Sequence, residues 1–201
     1  PEVTAMMRQQ GYGTEAAPMP VPLGRISPWL VHMVIMAEDD RFFLHQGLDW
    51  KGMQEAMETN IRRHRWAAGG SGITQQLSKN LYWGGSKNLL RKLAEGVSAM
   101  KMERTLGKRR ILELYLNVIE WGRGVYGIGR ASKVLLKKRP AEITAEEAIR
   151  LASILPNPRR FSLHDQSRRM VRKRRILARR LMQKGLIGRD EWKRLDGLVS
   201  R

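Results

Sequence analysis

The stretch Glu38-Asp-Asp-Arg-Phe-Phe-Leu-His-Gln-Gly47 decides the fold, because it closes an apolar helical pattern with a cluster of charges. The pattern begins after Ser27-Pro28, a pair typical of a helix start, with Ser as N-cap and Pro at the first helical position. We predict a helix over about residues 28–43. The other members of its apolar stripe are Val31, Val34, Ile35 and Phe42.

Glu38 falls in this stripe, where a core side chain is expected. Partial burial there would raise its pKa and make it a better proton acceptor near neutral pH. The alternative is a carboxylate at the edge of the stripe, paired with an Arg on a solvated surface. The rest of the sequence has to decide between these interpretations.

The composition is that of one domain, or one domain with a small lobe: 201 residues, 42% of them hydrophobic. A net charge of +19 indicates a polyanionic partner, which could be nucleic acid, anionic lipid headgroups or a phosphorylated substrate. The absence of Cys excludes disulfides and thiolate metal sites. The longest apolar run, about residues 28–37, is too short to span a bilayer. Because the chain begins with Pro, we expect a fragment or processed product with any targeting or anchoring segment upstream.

A glycine-rich turn, Gly69-Gly-Ser-Gly-Ile-Thr74, precedes a helix predicted over about residues 74–82. Backbone N–H groups at such a helix entry suit phosphate, although most glycine-rich turns are only turns. Donors and one cation follow at one-turn spacing: Gln75, Gln76, Lys79 and Asn80. No Gly-Lys-Ser/Thr follows, so this is not a Walker P-loop.

A long helix is predicted over about residues 87–105, and Lys87, Arg91 and Glu95 share one of its faces. This column could be an exposed salt-bridge ladder. However, Lys87, Arg91 and Lys92 crowd the positive end of the helix dipole, and a bound anion would relieve that conflict. The predicted buried stripe of the helix is Leu89, Leu90, Leu93, Val97 and Met100.

The remaining patterns are also helical, with little that indicates strands. Asp49 should cap a helix over about residues 50–66, with an apolar face of Met53, Ala56, Met57 and Ile61. Its flanking Trp50 and Trp66 leave a membrane-interface contact open. Helices are also expected at about 108–119, 165–184 and 190–195, around a glycine-rich loop at 120–129 and a capping box, Thr144-Ala-Glu-Glu147.

Over roughly residues 26–161 the chain resembles the peptidoglycan glycosyltransferases, in particular the monofunctional biosynthetic transglycosylases, whose domain also occurs in class A penicillin-binding proteins. Five blocks in the family's order carry the resemblance. They are the opening stretch; Gly69-Gly-Ser-Gly-Ile-Thr-Gln-Gln-Leu-Ser-Lys-Asn80; Arg91-Lys-Leu-Ala-Glu95 through Glu103; Ile111-Leu-Glu-Leu-Tyr-Leu-Asn117 with Tyr126-Gly127; and Leu151-Ala-Ser-Ile-Leu-Pro156 with Pro158. The segment Glu120-Trp-Gly122 is similar to the monofunctional branch.

The resemblance implies a mainly α, lysozyme-like helical lobe with a smaller membrane-facing lobe. We divide the chain into an irregular lead-in (1–25) and a glycosyltransferase domain (26–201). The small lobe would lie at about 48–68, and basic C-terminal helices at about 165–200. The implied location is the periplasmic face of the bacterial inner membrane, with an N-terminal anchor upstream.

The implied substrate is lipid II, a disaccharide-pentapeptide on polyprenyl diphosphate, which is added to a growing glycan strand with inversion. Glu38 would deprotonate the acceptor's 4-hydroxyl, and Glu95 would assist departure of the diphosphate directly or through a divalent metal, Mg²⁺ or Mn²⁺. The donor's diphosphate would be held by Ser71, Lys79 and Lys87, with Gln75, Gln76, Asn80 and Arg91 as neighbours.

Other expected partners are an anionic membrane surface, which the basic residues from Arg168 to Lys184 would contact, and cell-wall synthesis proteins; no nucleic acid is expected. Two departures from the family pattern leave substrate binding open in detail: Gly72 replaces a usual Thr, and Gly129-Arg130 stand where an acidic residue is usual. The alternatives are a lytic enzyme that cleaves glycan on a similar fold, and a nucleic-acid-binding protein suggested by the charge.

Overall fold

The computed structural model describes residues 2–62, 70–84 and 89–199, and these are mainly helical, as predicted. Among them, no helix is both long and apolar enough to cross a membrane. Two short antiparallel strands, β1 (Glu120–Gly122) and β2 (Val125–Tyr126), form a hairpin. The α-helices are α1 (Ala5–Gln9), α2 (Pro28–Glu38), α3 (Trp50–Arg62), α4 (Ile73–Ser78), α5 (Leu89–Val118), α6 (Ile128–Ala131), α7 (Ala145–Ile154), α8 (Arg168–Gln183) and α9 (Arg189–Val199).

One large hydrophobic core joins most of these helices. Helix α2 packs against α7 and α8, α8 packs against α9, and α4 packs against α5. The second half of α5 supplies buried side chains such as Ile111 and Leu116, as its apolar run predicts. This packing brings the end of α2, the start of α4 and the middle of α5 together around the candidate site.

Helix α2 begins where predicted but ends earlier. Pro28 is at the first helical position, yet the Ser27 hydroxyl does not cap the helix and donates instead to the Ile143 carbonyl at 2.6 Å. The helix stops at Glu38 because Asp39 adopts φ −162° and ψ 75°. Phe42 is fully buried, but from the separate 3₁₀ turn Phe42–Leu44.

Local helix signals outside α2 are confirmed. The Asp49 side chain accepts from the Gly52 N–H at 2.9 Å ahead of α3. The Thr144 hydroxyl and the Glu147 carboxylate form the predicted reciprocal capping box of α7. Gly107, with φ +69°, interrupts α5 between the two helices expected there.

The predicted buried stripe at the start of α5 is wrong. Leu90, Leu93 and Val97 are 73%, 62% and 62% exposed, whereas Glu95 is buried on the inner face. Burial of Glu95 on this face is possible because Arg91 and Lys92 pair with its carboxylate and compensate its charge. Helix α3 likewise buries none of its residues. Of its predicted apolar face, Met57 and Ile61 are exposed and Met53 and Ala56 are half-buried. The tryptophan expected at its far end, Trp66, lies outside the described residues.

The lead-in contains one helix that the sequence did not predict, α1. Thr4 caps it by accepting from the Met7 N–H, and Met7 is fully buried beside Tyr126 of β2. A helix of five residues is not stable alone, so tertiary packing holds it in place.

Helix α8 lies close to its predicted bounds, but about half of the basic residues between 168 and 184 contact other protein groups, some while still partly exposed. Arg174 is fully buried, Arg175 pairs with Asp196, and both Arg180 and Lys184 pair with Asp40. Only part of the basic stretch therefore remains without an acidic partner among the described residues.

Candidate active site

Glu38 lies at the last helical position of α2 and lines a cleft of about 530 Å³. Its carboxyl group is largely removed from solvent. This burial raises the pKa of the carboxyl, which is the direction expected from the sequence. A hydrogen bond from Gln76 and the charge of Lys173 act in the opposite direction and favour the ionised form. Glu38 thus combines the basicity of a desolvated carboxylate with two groups that support its negative charge.

Gln76 and Tyr115 form a relay behind Glu38. The Gln76 side-chain amide donates to Glu38 Oε2 at 3.0 Å, and its own oxygen accepts from the Tyr115 hydroxyl at 2.8 Å. Tyr115 is 1% exposed, and burial raises its pKa well above 10, so its hydroxyl stays neutral and can donate. The relay fixes which end of the Gln76 amide faces Glu38.

The glycine-rich turn is built differently from the expected phosphate loop. The Asp39 carboxylate accepts from the Ile73 N–H at 2.9 Å, so the entry to α4 already carries a protein anion. His45 Nε2 lies 3.0 Å from both oxygens of the same carboxylate. A Cβ on Gly72 would lie 2.3 Å from Asp39 Oδ2. A larger residue at position 72 would therefore clash with this buried carboxylate. Phosphate recognition by that N–H group is therefore not available.

Glu95 is buried on α5 and is surrounded by cations. Its Oε1 accepts from Arg91 at 2.6 Å and its Oε2 from Lys92 at 3.2 Å. Lys92 also donates to the Ser71 hydroxyl at 2.6 Å, which ties the glycine-rich turn to α5. Lys92 was counted among the crowding cations in the sequence but was not predicted to be a site residue.

The Lys79 side chain forms no hydrogen bond or ion pair with another described residue, although it lines the same cleft. Burial lowers its pKa, and the nearby charges of Arg91 and Lys92 lower it further, while Glu95 opposes them. An anionic ligand would stabilise the charged forms of Lys79, Arg91 and Lys92, so this crowding of cations favours anion binding.

The cleft brings together all but one of the predicted site residues: Glu38, Ser71, Gln75, Gln76, Lys79, Asn80, Arg91 and Glu95. Gln75 Oε1 is buried without a hydrogen-bond partner, whereas the Asn80 side chain is used locally and donates to the Gln76 carbonyl. The remaining residue, Lys87, lies outside the described residues.

Comparison with known proteins places this arrangement in a family. The family model described as Transglycosylase matches residues 5–182. The chain belongs to the transglycosylase family. It is 45% identical over 181 residues to the biosynthetic peptidoglycan transglycosylase of Thiobacillus denitrificans, covering 89% of this chain and 78% of that protein. The enzyme of the same name from Chromobacterium violaceum is 41% identical over 180 residues, covering 90% of this chain and 79% of its own length.

In this transglycosylase the basic helix α8 also contributes a charge close to Glu38. Lys173 of α8 is half-buried, and burial lowers its pKa while the charge of Glu38 raises it. Sequence reasoning grouped Lys173 with the lipid-facing cations because nothing local distinguishes it from its neighbours. Its place beside Glu38 follows only from the packing of α8 against α2.

A third carboxylate, Glu120, lines the cleft on the β1–β2 hairpin. Burial raises the pKa of Glu120, while hydrogen bonds from Gly124 and Gln10 and the charge of Arg159 lower it. Glu120 Oε1 accepts from the Gly124 N–H at 2.9 Å and lies 3.5 Å from Arg159 Nε. The sequence marked this segment only as similar to the monofunctional branch.

The departure at Gly129-Arg130 accommodates the lead-in. A Cβ on Gly129 would lie 2.3 Å from the Met19 carbonyl oxygen, so a larger residue would displace the lead-in chain. Arg130 donates to the Glu15 carbonyl at 2.5 Å. With the lead-in held there, Met6 and Gln10 line the cleft.

The surroundings of Glu95 do not fit the divalent metal that the resemblance left open. Both carboxylate oxygens accept hydrogen bonds from cations. Within the described ranges, no group of three or more His, Cys, Asp or Glu side chains is arranged to hold a metal ion. Arg91, Lys92 and Lys79 instead supply positive charge at this end of the cleft.

Proposed function

We propose that this transglycosylase polymerises lipid II into glycan strands with release of polyprenyl diphosphate. The observation that carries the proposal is the division of charge along one cleft. A desolvated carboxylate, Glu38, lines it together with the three cations Lys79, Arg91 and Lys92. A reaction that deprotonates a hydroxyl and expels a diphosphate needs both features.

In the proposed reaction Glu38 accepts the proton of the acceptor's 4-hydroxyl. The oxygen then attacks C1 of the growing glycan, the bond from C1 to the diphosphate oxygen breaks, and the configuration at C1 inverts. Gln76, oriented by Tyr115, stabilises ionised Glu38 before the proton moves.

The cations act on the leaving group. Lys79 has no partner among the described side chains and is free to meet the diphosphate, while Arg91 and Lys92 are aligned by Glu95. We therefore assign Glu95 the role of positioning these two cations. Electrostatic stabilisation of developing negative charge is often the largest single contribution to catalysis.

The proposed location is the periplasmic face of the bacterial inner membrane. Support comes from large apolar side chains that are more than half exposed on α3, α5 and the turn before them. They are Leu44, Trp50, Met57, Ile61, Leu90, Leu93 and Val97. Isolated exposed apolar residues are ordinary, but a set of this size on neighbouring elements is typical of a membrane or protein contact.

The test is incubation of the purified chain with labelled lipid II, followed by separation of polymeric glycan. Glu38→Gln is the control, because it keeps the shape of the side chain but cannot accept the proton. Polymer from the wild type and a loss of about 100- to 10,000-fold in Glu38→Gln would support the proposal. Release of soluble muropeptides from purified sacculi, without polymer from lipid II, would assign a lytic activity instead.

A further inference from the structure

A second cavity, of about 290 Å³, lies between the β1–β2 hairpin and the loop formed by residues 158–164. Its apolar lining includes Trp121, which is fully buried, and Phe161. Its charged lining consists of Arg123, Arg159 and Arg160, beside Ser162 and His164, and no acidic residue contributes among those described. Such a cavity suits an anionic group attached to an apolar or peptide-like body.

Further positive charge lies around this lining. The guanidinium groups of Arg160 and Arg169 lie 5.6 and 5.3 Å from the Phe161 ring. Glu120 faces Arg159 at 3.5 Å, and Asp165 feels the charges of Arg174 and Arg160. The cations nevertheless outnumber these two carboxylates.

One of these cations is buried directly behind the cavity wall. Arg174 is fully buried and donates to the Leu163 carbonyl at 2.9 Å, while its Nε and Nη1 have no hydrogen-bond partner among the residues that the structure describes. Arg150 donates to the same carbonyl at 3.2 Å. The two arginines therefore fix the position of the Leu163 carbonyl in the cavity wall. The charge of Arg174, which is buried and incompletely paired, favours binding of an anion nearby.

The cavity adjoins the catalytic cleft. Pro158 lines both, and Arg159 of the cavity faces Glu120 of the cleft. A ligand bound in the cleft can therefore extend a substituent into the cavity. Of the parts of lipid II, the diphosphate is assigned to the cations near Glu95, which leaves the peptide carboxylates as the anionic groups to be placed.

We infer that this cavity binds a carboxylate of the peptide carried by lipid II, with Arg123 and Arg160 as the specificity-determining cations. The inference rests on the proposed function. The carboxylate would receive charge-assisted hydrogen bonds from the two arginines, and the adjoining peptide atoms would pack against Trp121 and Phe161. The same oxyanion chemistry would suit a lipid headgroup phosphate, so the test separates the two sources.

The test compares wild type, Arg123→Gln/Arg160→Gln and the matched control Arg109→Gln in detergent. Arg109 is an exposed arginine of α5 that does not line this cavity. The substrates are lipid II and an analogue whose peptide carboxylates are amidated. For the wild type we expect amidation to raise KM about 10- to 100-fold with little change in kcat, the size of a lost charge-assisted hydrogen bond. The double variant should show the high KM with both substrates, and Arg109→Gln should behave as the wild type.

Equal KM values of the wild type for both substrates would overturn the inference, as would discrimination retained by the double variant. A second measurement compares binding to phosphatidylglycerol and phosphatidylcholine vesicles. If the double variant loses only its preference for the anionic vesicles and still discriminates between the substrates, the cavity serves headgroup phosphate and the inference is wrong. No polymer from either substrate would overturn the proposed function, whereas equal KM values overturn the carboxylate assignment alone.

Discussion

Removal of the Tyr115 hydroxyl tests the relay behind Glu38. In Tyr115→Phe the ring still fills its buried site, but Gln76 Oε1 loses the donor that fixes its orientation. The Gln76 amide then no longer presents its N–H group reliably to Glu38. Since that bond favours the ionised carboxylate, the pKa of Glu38 should rise further.

The size of the effect follows from the bonds involved. A hydrogen bond to a charged group contributes about 1.5 kcal/mol at the lower end of its range. Complete loss of the bond would favour the protonated carboxyl of Glu38 by about 1.5 kcal/mol, and partial disorder of Gln76 by about half of that. The unsatisfied Gln76 oxygen should also cost about 1–2 kcal/mol of stability, which lowers Tm by about 3–6 °C in a chain of this size.

The assay is the pH dependence of lipid II polymerisation, with Tm measured on the same samples. The acidic limb of kcat/KM should move to higher pH in Tyr115→Phe, because a smaller fraction of Glu38 is ionised at each pH. Tyr82→Phe is the matched control, since Tyr82 is 59% exposed. A lowered Tm with an unshifted acidic limb would refute the relay, and a shift to lower pH would show that Gln76 favours the protonated carboxyl.

Four further outcomes are expected. Glu38→Gln should abolish most turnover yet raise Tm at pH 7. Because the pKa of Glu38 is raised, the stability of the wild type falls as pH rises above the ordinary value of 4.5, so the Tm gain of the variant should vanish in acid. The same difference in Tm between variant and wild type at pH 7 and in acid would contradict this. Glu95→Gln should lower both turnover and Tm because Arg91 and Lys92 lose a buried partner. If the acidic limb of the pH–rate profile disappears in this variant but persists in Glu38→Gln, Glu95 is the base and Glu38 is not. Lys79→Ala should weaken polymerisation with an unchanged circular dichroism spectrum, and wild-type rates would remove Lys79 from the diphosphate site. Leu93→Ser/Val97→Ser should reduce sedimentation with lipid vesicles by about 10-fold or more at unchanged Tm, and equal binding would show that this face is not the membrane contact.

The basic stretch of α8 shows what a charge pattern leaves undecided. Nine cations between residues 168 and 184 predicted a lipid-facing surface. The fold uses Arg174 to hold a loop carbonyl, Lys184 to pair with Asp40, and Lys173 to support Glu38. The sequence records how many charges a helix carries, but the packing of α8 against α2 and α7 decides which of them face protein groups.

The sequence by itself determined the helical class, the family and the helix boundaries marked by local chemistry. The capping box from Thr144 to Glu147 and the break at Gly107 depend on groups within one turn, so their signals are visible in a short window. The place of Glu38 on the apolar stripe of α2 was predictable from its spacing, but its position at the last turn was not, because the apolar pattern continues to Phe42.

Tertiary structure alone decided which side of α5 faces inward and which groups complete the site. Leu93 and Val97 form an apolar stripe that periodicity assigns to a core, yet the buried face is the one that carries Glu95. Asp39 satisfies the Ile73 N–H, so a turn that suits phosphate in isolation is already capped. These outcomes depend on pairings between residues far apart in the chain, and such pairings determine which charges are compensated and which apolar side chains remain exposed.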